Sequence, residues 1–256
     1  MKKIAAFIGS SQKHATFKAV QEFEQHLKTY VAIEFEYIFF KDYNLEYCNG
    51  CKLCFDKGEE CCPFKDDRDI LIDKIESSDG VIFATPNYAF HVSARMKNFL
   101  DRIAFIFHRP RYFGKTFMPI VTQGIYGGNA ILKYLNRIGQ NFGFFTVKGC
   151  CLRTLEPETE NQKKKNSKKI KKAAARFYNQ FKKSSLAEPS FIKLIQFRIS
   201  RSIIGLKLNE QYKDYRYYKE NSWFDSGYYY DVPLSFLKKS VGNLFDALST
   251  SLAKNR

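Results

Sequence analysis

Residues 3–150 alternate between two hydrophobic periods, and that alternation restricts the fold more than any other feature of the chain. Short apolar or β-branched runs at 3–9, 31–40, 80–84, 116–122 and 144–150 read as strands. Between them, apolar residues recur at helical spacing. Residues 16–30 carry Phe17, Val20, Phe23, Leu27 and Tyr30, and 66–77 place Ile70, Leu71 and Ile75 on one side. Ser93 can cap a helix running to residue 107, and 129–142 form another. Strands joined by helices of this length require right-handed crossovers. The expected fold is therefore α/β: a doubly wound, five-stranded parallel sheet covered by helices on both faces.

The remainder differs in character. Of the chain's net charge of +16, +12 lies from residue 157 onward, where 21 basic residues face 9 acidic ones. Residues 162–183 hold ten basic residues and no acidic one, yet Ile170, Ala173, Ala174, Phe177 and Phe181 keep a narrow apolar stripe. This reads as a helix with a solvated basic face. Residues 191–206 are apolar almost all round, 212–230 are dense in tyrosine and contain Trp223, and 235–252 form a final amphipathic helix. The division expected is a domain at 1–155 and a helical, basic C-terminal extension at 156–256, packed on the domain or on a partner subunit. A basic helix and an aromatic tail are also what a nucleic-acid or membrane-surface protein would use. No recognised nucleic-acid motif accompanies them, so a solvated face and a buried helix are preferred.

The opening Met1-Lys2-Lys3 and its apolar run resemble a leader, but the run is too short and Ser10-Ser11-Gln12-Lys13 follows at once. No segment approaches the ~18 apolar residues of a membrane span. Seven cysteines without an export signal argue against a disulfide framework, and a reducing, cytoplasmic setting is expected.

In a doubly wound sheet, ligands bind beyond the carboxyl ends of the strands. Three loops there have unusual composition. The first, residues 9–16, offers the Ser10, Ser11 and Thr16 hydroxyls and the N–H groups of a helix N-terminus, with Lys13 and His14 able to add charge. Neither GxGxxG nor a Walker A loop is present. A hydroxyl-rich loop with one glycine suits a single phosphomonoester, as on FMN; an ordinary capped turn is the alternative. In the second loop, Pro86 ends the ladder, Tyr88 and Phe90 present aromatic faces, and the Asn87 amide can bond the edge of a flat heterocycle. In the third, Thr122-Gln123-Gly124-Ile125-Tyr126-Gly127-Gly128, three glycines let backbone approach a planar ligand closely. On this placement Gly127 is sensitive to a branched side chain, whereas Gly139, inside a helix, should accept alanine.

Cys48, Cys51 and Cys54 form C-x2-C-x2-C, followed by Cys61-Cys62. Thiols at that spacing with a fourth nearby can hold a [4Fe–4S] cluster. Free thiols and zinc are the alternatives. Cys150 and Cys151 read as small buried residues.

Asp66-Asp67, the stretch from Glu76 to Tyr88 and that from Val92 to Arg102 resemble the NAD(P)H-dependent FMN reductase and iron–sulfur flavoprotein family. The resemblance covers roughly residues 1–155. It implies a flavodoxin-like fold, with Ser10, Ser11, Lys13, His14, Ala15 and Thr16 around the FMN phosphate. It also implies that Pro86, Asn87, Tyr88, Ala89 and Phe90, with Thr122, Gln123, Gly124, Tyr126 and Gly127, line the isoalloxazine. It makes Cys62, which precedes the Asp-Asp pair, the fourth cluster ligand beside Cys48, Cys51 and Cys54, with Cys61 as substitute. Gln12-Lys13-His14-Ala15 departs from the Pro-Arg and Asn-Gly pattern of relatives. Lys97, Asp101 and Arg102 match the family motif and are read as packing, capping or subunit-contact groups. The implied function is a cytoplasmic, homodimeric oxidoreductase moving electrons between NAD(P)H or another reduced donor and a small-molecule or protein acceptor, with no protein acid or base required. A non-catalytic flavin-binding electron carrier is the alternative.

Overall fold

The computed structural model describes residues 1–183 and 186–254; residues 184, 185, 255 and 256 of the expected extension lie outside the described residues. The elements in chain order begin β1 (Lys2–Ile8), α1 (Ala15–Lys28), β2 (Ile33–Phe39), α2 (Leu53–Asp56), α3 (Arg68–Glu76), β3 (Gly80–Pro86) and α4 (Ala94–Arg102). They continue β4 (Thr116–Gln123), α5 (Gly128–Asn141), β5 (Phe145–Thr146), β6 (Cys150–Arg153) and α6 (Glu160–Phe181). Helices α7 (Phe191–Lys207), α8 (Lys213–Glu220) and α9 (Phe236–Lys254) complete the chain.

The sheet is parallel throughout, in the order β2-β1-β3-β4-β5, with β6 also pairing β4. This is the flavodoxin-like doubly wound topology. All seven residues of β3 are buried. Alternate residues explain why. Ile82 and Ala84 join Ile4, Ala6, Ile8, Met118 and Ile120 beneath α1 and α6. On the other face, Phe83 meets Phe7, Phe99 of α4 and Phe117, edge-on in each case. Each fully buried side chain of this kind is worth about 1.5–3 kcal/mol against exposure.

The fifth strand is not the continuous run expected at 144–150. It is split into β5 and β6, and the cause is Pro119. Phe145 and Val147 donate to the carbonyls of Lys115 and Phe117, 2.9 Å each, so alternate residues of β4 face the fifth strand. Pro119 is next on that side, and proline has no N–H to continue the ladder. The register slips by one residue across the gap, from Phe117↔Thr146 to Ile120↔Cys150, as a bulge requires. Gly149 permits the detour, because a Cβ there would stand 1.8 Å from the Pro119 carbonyl oxygen.

Two further expectations are corrected. Ile70 is 49% exposed while Leu71, Ile72 and Ile75 are buried, so the inward stripe of α3 runs one position later. The helix from Ser93 stops at Arg102 and resumes as a 3-10 turn at Ala104–Phe107.

The described residues form two compact units: Met1–Asn49 with Phe64–Ser184, and Gly50–Pro63 with Ser185–Arg256. This partition differs from a boundary at 155. Helix α6 packs on the sheet of the first unit, with the Phe177 ring 2.7 Å from where a Cβ on Gly80 would sit. In the second unit, Arg198 and Arg201 both reach Asp246 at 2.6 Å, and the Trp223 indole donates to the Tyr229 carbonyl at 2.9 Å. Arg216 holds the Lys57 carbonyl at 2.9 Å and so ties α8 to the 50–63 segment. Among the described residues, no helix is long and apolar enough to cross a membrane.

The expectation that Gly139 accepts alanine also fails on packing. A Cβ there would lie 2.5 Å from Phe117 Cδ1 and 2.9 Å from Thr146 Cγ2, so α5 rests directly on the sheet. Gly139→Ala should destabilise the fold by about 1–3 kcal/mol, the usual cost of overpacking. Urea denaturation monitored by circular dichroism measures it; unchanged stability would show that Phe117 can move aside.

Candidate active site

A cavity of about 620 Å³ opens at the carboxyl ends of β1, β3 and β4. The register places it there: Ile8 pairs Ala84, and Pro86 pairs Thr122, so the three strands release their loops side by side. Eleven of the expected residues line it: Ser10, Ser11, His14, Ala15 and Thr16; Pro86, Asn87 and Tyr88; Thr122, Gln123 and Gly124.

At one end lies the N-terminus of α1. His14 precedes it without a side-chain cap, so its first-turn N–H groups have no intrahelical acceptor. These groups and the Ser11 hydroxyl suit an anion, while the Ser10 hydroxyl donates to the Gln12 carbonyl at 3.1 Å. Thr16 is tied instead to Thr122, hydroxyl to hydroxyl at 2.7 Å, joining the first and third loops. The second loop is braced by Thr85, whose hydroxyl accepts from Ser93 N–H at 3.0 Å. Gly9 is required here, because a Cβ would stand 2.6 Å from Ser93 Oγ.

Asn87 joins the second loop to the third. Its N–H donates to the Thr122 carbonyl at 2.7 Å, and its Nδ2 to the Tyr126 carbonyl at 2.9 Å. Its Oδ1 is buried and has no hydrogen-bond partner. A buried acceptor left unpaired is costly, so this atom suits a ligand N–H. A heterocycle with a polar edge and a phosphate arm thus fits both ends of the cavity.

Five expected residues do not line it. Lys13 Nζ turns over the Phe17 and Phe39 rings, 5.8 and 5.9 Å from their centroids. Ala89 and Phe90 occupy a tight turn closed by mutual hydrogen bonds between Tyr88 and His91. Both adopt positive φ, 47° and 62°, a conformation costly without glycine. The Phe90 ring lies against Tyr126, centroids 5.4 Å apart, and 2.6 Å from where a Cβ on Gly127 would sit. These side chains pack on one another beside Asn87. Gly127, at φ 96°, is thus demanded by backbone conformation and by Phe90.

Sequence reasoning missed Gly9, Gln12, Ser93, Ala94, Arg95 and Thr154, which also line the cavity. Arg95 stood inside the family-like motif, and its place in the first turn of α4 was the available signal. Thr154 follows a strand whose true end was hidden by the bulge.

The charged motif residues divide. Lys97 and Asp101 form an exposed pair one helical turn apart. Arg102 is buried and grips Asp66 at 2.5 Å and the Glu46 carbonyl at 2.7 Å. Asn98 donates to the carbonyls of Leu45 and Glu46, and Asp66 and Asp67 accept from the N–H groups of Glu46 and Asn44. Helix α4 and the Asp-Asp pair thus clamp together the two chain segments that flank residues 47–63.

Of the cysteines, Cys48 belongs to the first unit and Cys51, Cys54, Cys61 and Cys62 to the second. Among the described residues, no three His, Cys, Asp or Glu side chains gather as a metal site. Cys150 is buried as expected, and burial pushes its thiol up to about 12. Cys151 is half-buried, with a thiol raised for the same reason.

Residues 2–153 match the NADPH-dependent FMN reductase family. The chain belongs to that family. An iron-sulfur flavoprotein of Archaeoglobus fulgidus is 33% identical over 151 residues, which is 57% of this chain and 66% of that protein. The match therefore spans just under two thirds of that relative. Among solved structures, RosB with a bound 8-demethyl-8-formylriboflavin-5′-phosphate intermediate superposes with a TM-score of 0.56 at 10% identity, covering 92% of each chain. The NAD(P)H:quinone oxidoreductase of Methanothermobacter marburgensis gives 0.53 at 13% identity, covering 68% of this chain and 97% of its own. At such identities the two structures support the fold alone.

The Arg102–Asp66 pair sets an acid limit on the fold. Burial pushes the Asp66 carboxyl up, but Arg102 and the N–H groups of Glu46 and Arg68 outweigh it and hold it below the usual range. The stabilisation is therefore complete above the ordinary aspartate pKa, about 3.9, and is lost as pH falls through the lowered value. Arg102→Met leaves a buried carboxylate unpaired and should cost about 3–5 kcal/mol at neutral pH. Denaturation at pH 7 and pH 3 checks both parts; the variant should lose much less stability than wild type on acidification.

Proposed function

We propose that the cavity holds FMN and that the chain is a flavin-dependent oxidoreductase, moving electrons between NAD(P)H or another reduced donor and a small-molecule or protein acceptor. One observation carries the reading: the loops after β1, β3 and β4 converge on a single cavity with an uncapped helix N-terminus and an unpaired buried Asn87 Oδ1. Family membership supports it. When bound, FMN supplies the hydride and electron chemistry. The protein's residues bind and orient. Ser11 and the N–H groups from His14 to Thr16 receive the phosphate, joined by Ser10 when its hydroxyl turns from the Gln12 carbonyl. Asn87 Oδ1 accepts from the ring edge, and Pro86, Tyr88, Gln123 and Gly124 border the ring.

Flavin released by denaturation should chromatograph as FMN; recovery of FAD, or of no flavin after reconstitution, refutes the assignment. Ser11→Asp places a carboxylate where the phosphate belongs. It should weaken flavin binding about tenfold or more, with unchanged unfolding of the flavin-free protein. Fluorescence titration of the apoprotein measures it.

A [4Fe–4S] cluster on Cys48, Cys51, Cys54 and Cys62 is a separate proposal, supported by their spacing and by the name of the Archaeoglobus relative. Anaerobic protein should then carry iron and sulfide that each Ser variant loses and Cys150→Ser keeps. Under about 0.5 iron per wild-type chain rejects the cluster and leaves the flavin assignment standing.

A further inference from the structure

The first turn of α4 stands against the first loop. A Cβ on Gly9 would lie 2.6 Å from Ser93 Oγ and 3.3 Å from Met96 Cβ, so residues 93–96 pack on the residue where that loop begins. Arg95 belongs to this turn and lines the cavity together with Ser10, Ser11, Gln12 and His14. Of the lining residues it is the only lysine or arginine, and no aspartate or glutamate is among them. The first loop's own lysine, Lys13, does not line the cavity and turns over the Phe17 and Phe39 rings instead.

Helix α4 carries three cations, and two of them are held by carboxylates. Lys97 pairs with Asp101 and Arg102 with Asp66, at 2.5 Å each. Arg95 is exposed and, among the described residues, pairs with no carboxylate. Its position is electrostatically unfavourable. The first turn of a helix carries the positive end of the dipole, and α4 has no acidic residue there to offset a cation. An unpaired guanidinium set against the dipole, at the wall of a cavity without carboxylates, is a local conflict that an anionic ligand resolves.

We infer that Arg95 is a phosphate ligand and the residue that selects phosphorylated flavin over riboflavin. The inference rests on the flavin reading and deepens it by naming the side chain that reads the phosphate charge. The hydroxyl and N–H groups of the first loop hydrogen-bond a phosphate without neutralising it. A guanidinium supplies a full positive charge and can donate two parallel bonds to one phosphate. Inside the cavity no carboxylate competes for it. Binding of the anion also relieves the repulsion between Arg95 and the α4 N-terminus. Arg95 therefore adds affinity only for a flavin that carries a phosphate.

The test titrates the flavin-free full chain with FMN and, separately, with riboflavin, following flavin fluorescence. Arg95→Gln should bind FMN about tenfold or more weakly than wild type, and riboflavin as wild type does. Arg95→Lys keeps the charge but loses the fork, so its FMN affinity should fall between the two. Lys97→Gln removes a cation from the same helix outside the cavity and should leave both affinities unchanged. The preference of wild type for FMN over riboflavin should shrink with added salt, and shrink less in Arg95→Gln. A merely structural role would weaken both flavins together. Unchanged FMN affinity in Arg95→Gln, or equal weakening of FMN and riboflavin, overturns the inference and leaves the flavin reading in place. Wild-type protein that binds neither flavin refutes the flavin reading, and the inference with it.

Discussion

The parallel ladder of β1, β3 and β4 is the constraint from which the candidate site follows. Parallel strands need a crossover after each, and each crossover begins at the carboxyl end. Because Ile8 pairs Ala84 and Pro86 pairs Thr122, the three crossovers begin at neighbouring positions on one edge of the sheet. Cavity, uncapped helix and asparagine are then consequences. The burial of β3 on both faces fixes the ladder, because a slip by one residue would exchange its aliphatic and aromatic sides. The site is thus positioned by the best-packed part of the molecule.

Much of this was legible because a strand buried on both faces leaves an unambiguous apolar run, and helices facing one sheet leave a periodic one. The first four strands and four helices of the first unit appear where those patterns place them. The fifth strand was not legible. Whether a proline interrupts a ladder depends on which neighbour its missing N–H would have faced, and only the pairing of Lys115 and Phe117 reveals that. The phase of α3 was misread for a related reason. Ile70 and Leu71 are equally apolar, and tertiary packing chose between them.

Legibility of the site followed the type of signal. Positions chosen for hydroxyls, an amide or a proline at a strand end line the cavity. Of those chosen for aromatic faces or lack of bulk, Phe90, Tyr126 and Gly127 do not line it, because such residues can pack against one another as well as against a ligand. Phe90, Tyr126 and Gly127 do so: the glycine makes room for the phenylalanine, which rests on the tyrosine. Gly139 shows the same ambiguity in a helix, where absence of a side chain reflects contact with Phe117 rather than conformational need.

The bulge at Pro119 also decides which side chains stand beside Gln123 at the rim of the cavity. An uninterrupted fifth strand would keep the register of β5 and shift every later residue by one position along β4. The extra residue brings Arg153, rather than Leu152, opposite Gln123. Because successive side chains of a strand point to opposite faces, that shift turns Leu152 into the core beside Met118 and Ile120. As built, Thr154 follows Arg153 out of the sheet and borders the cavity at the strand ends. The irregularity that concealed the strand from sequence reading therefore keeps a leucine in the core and a cation beside Gln123.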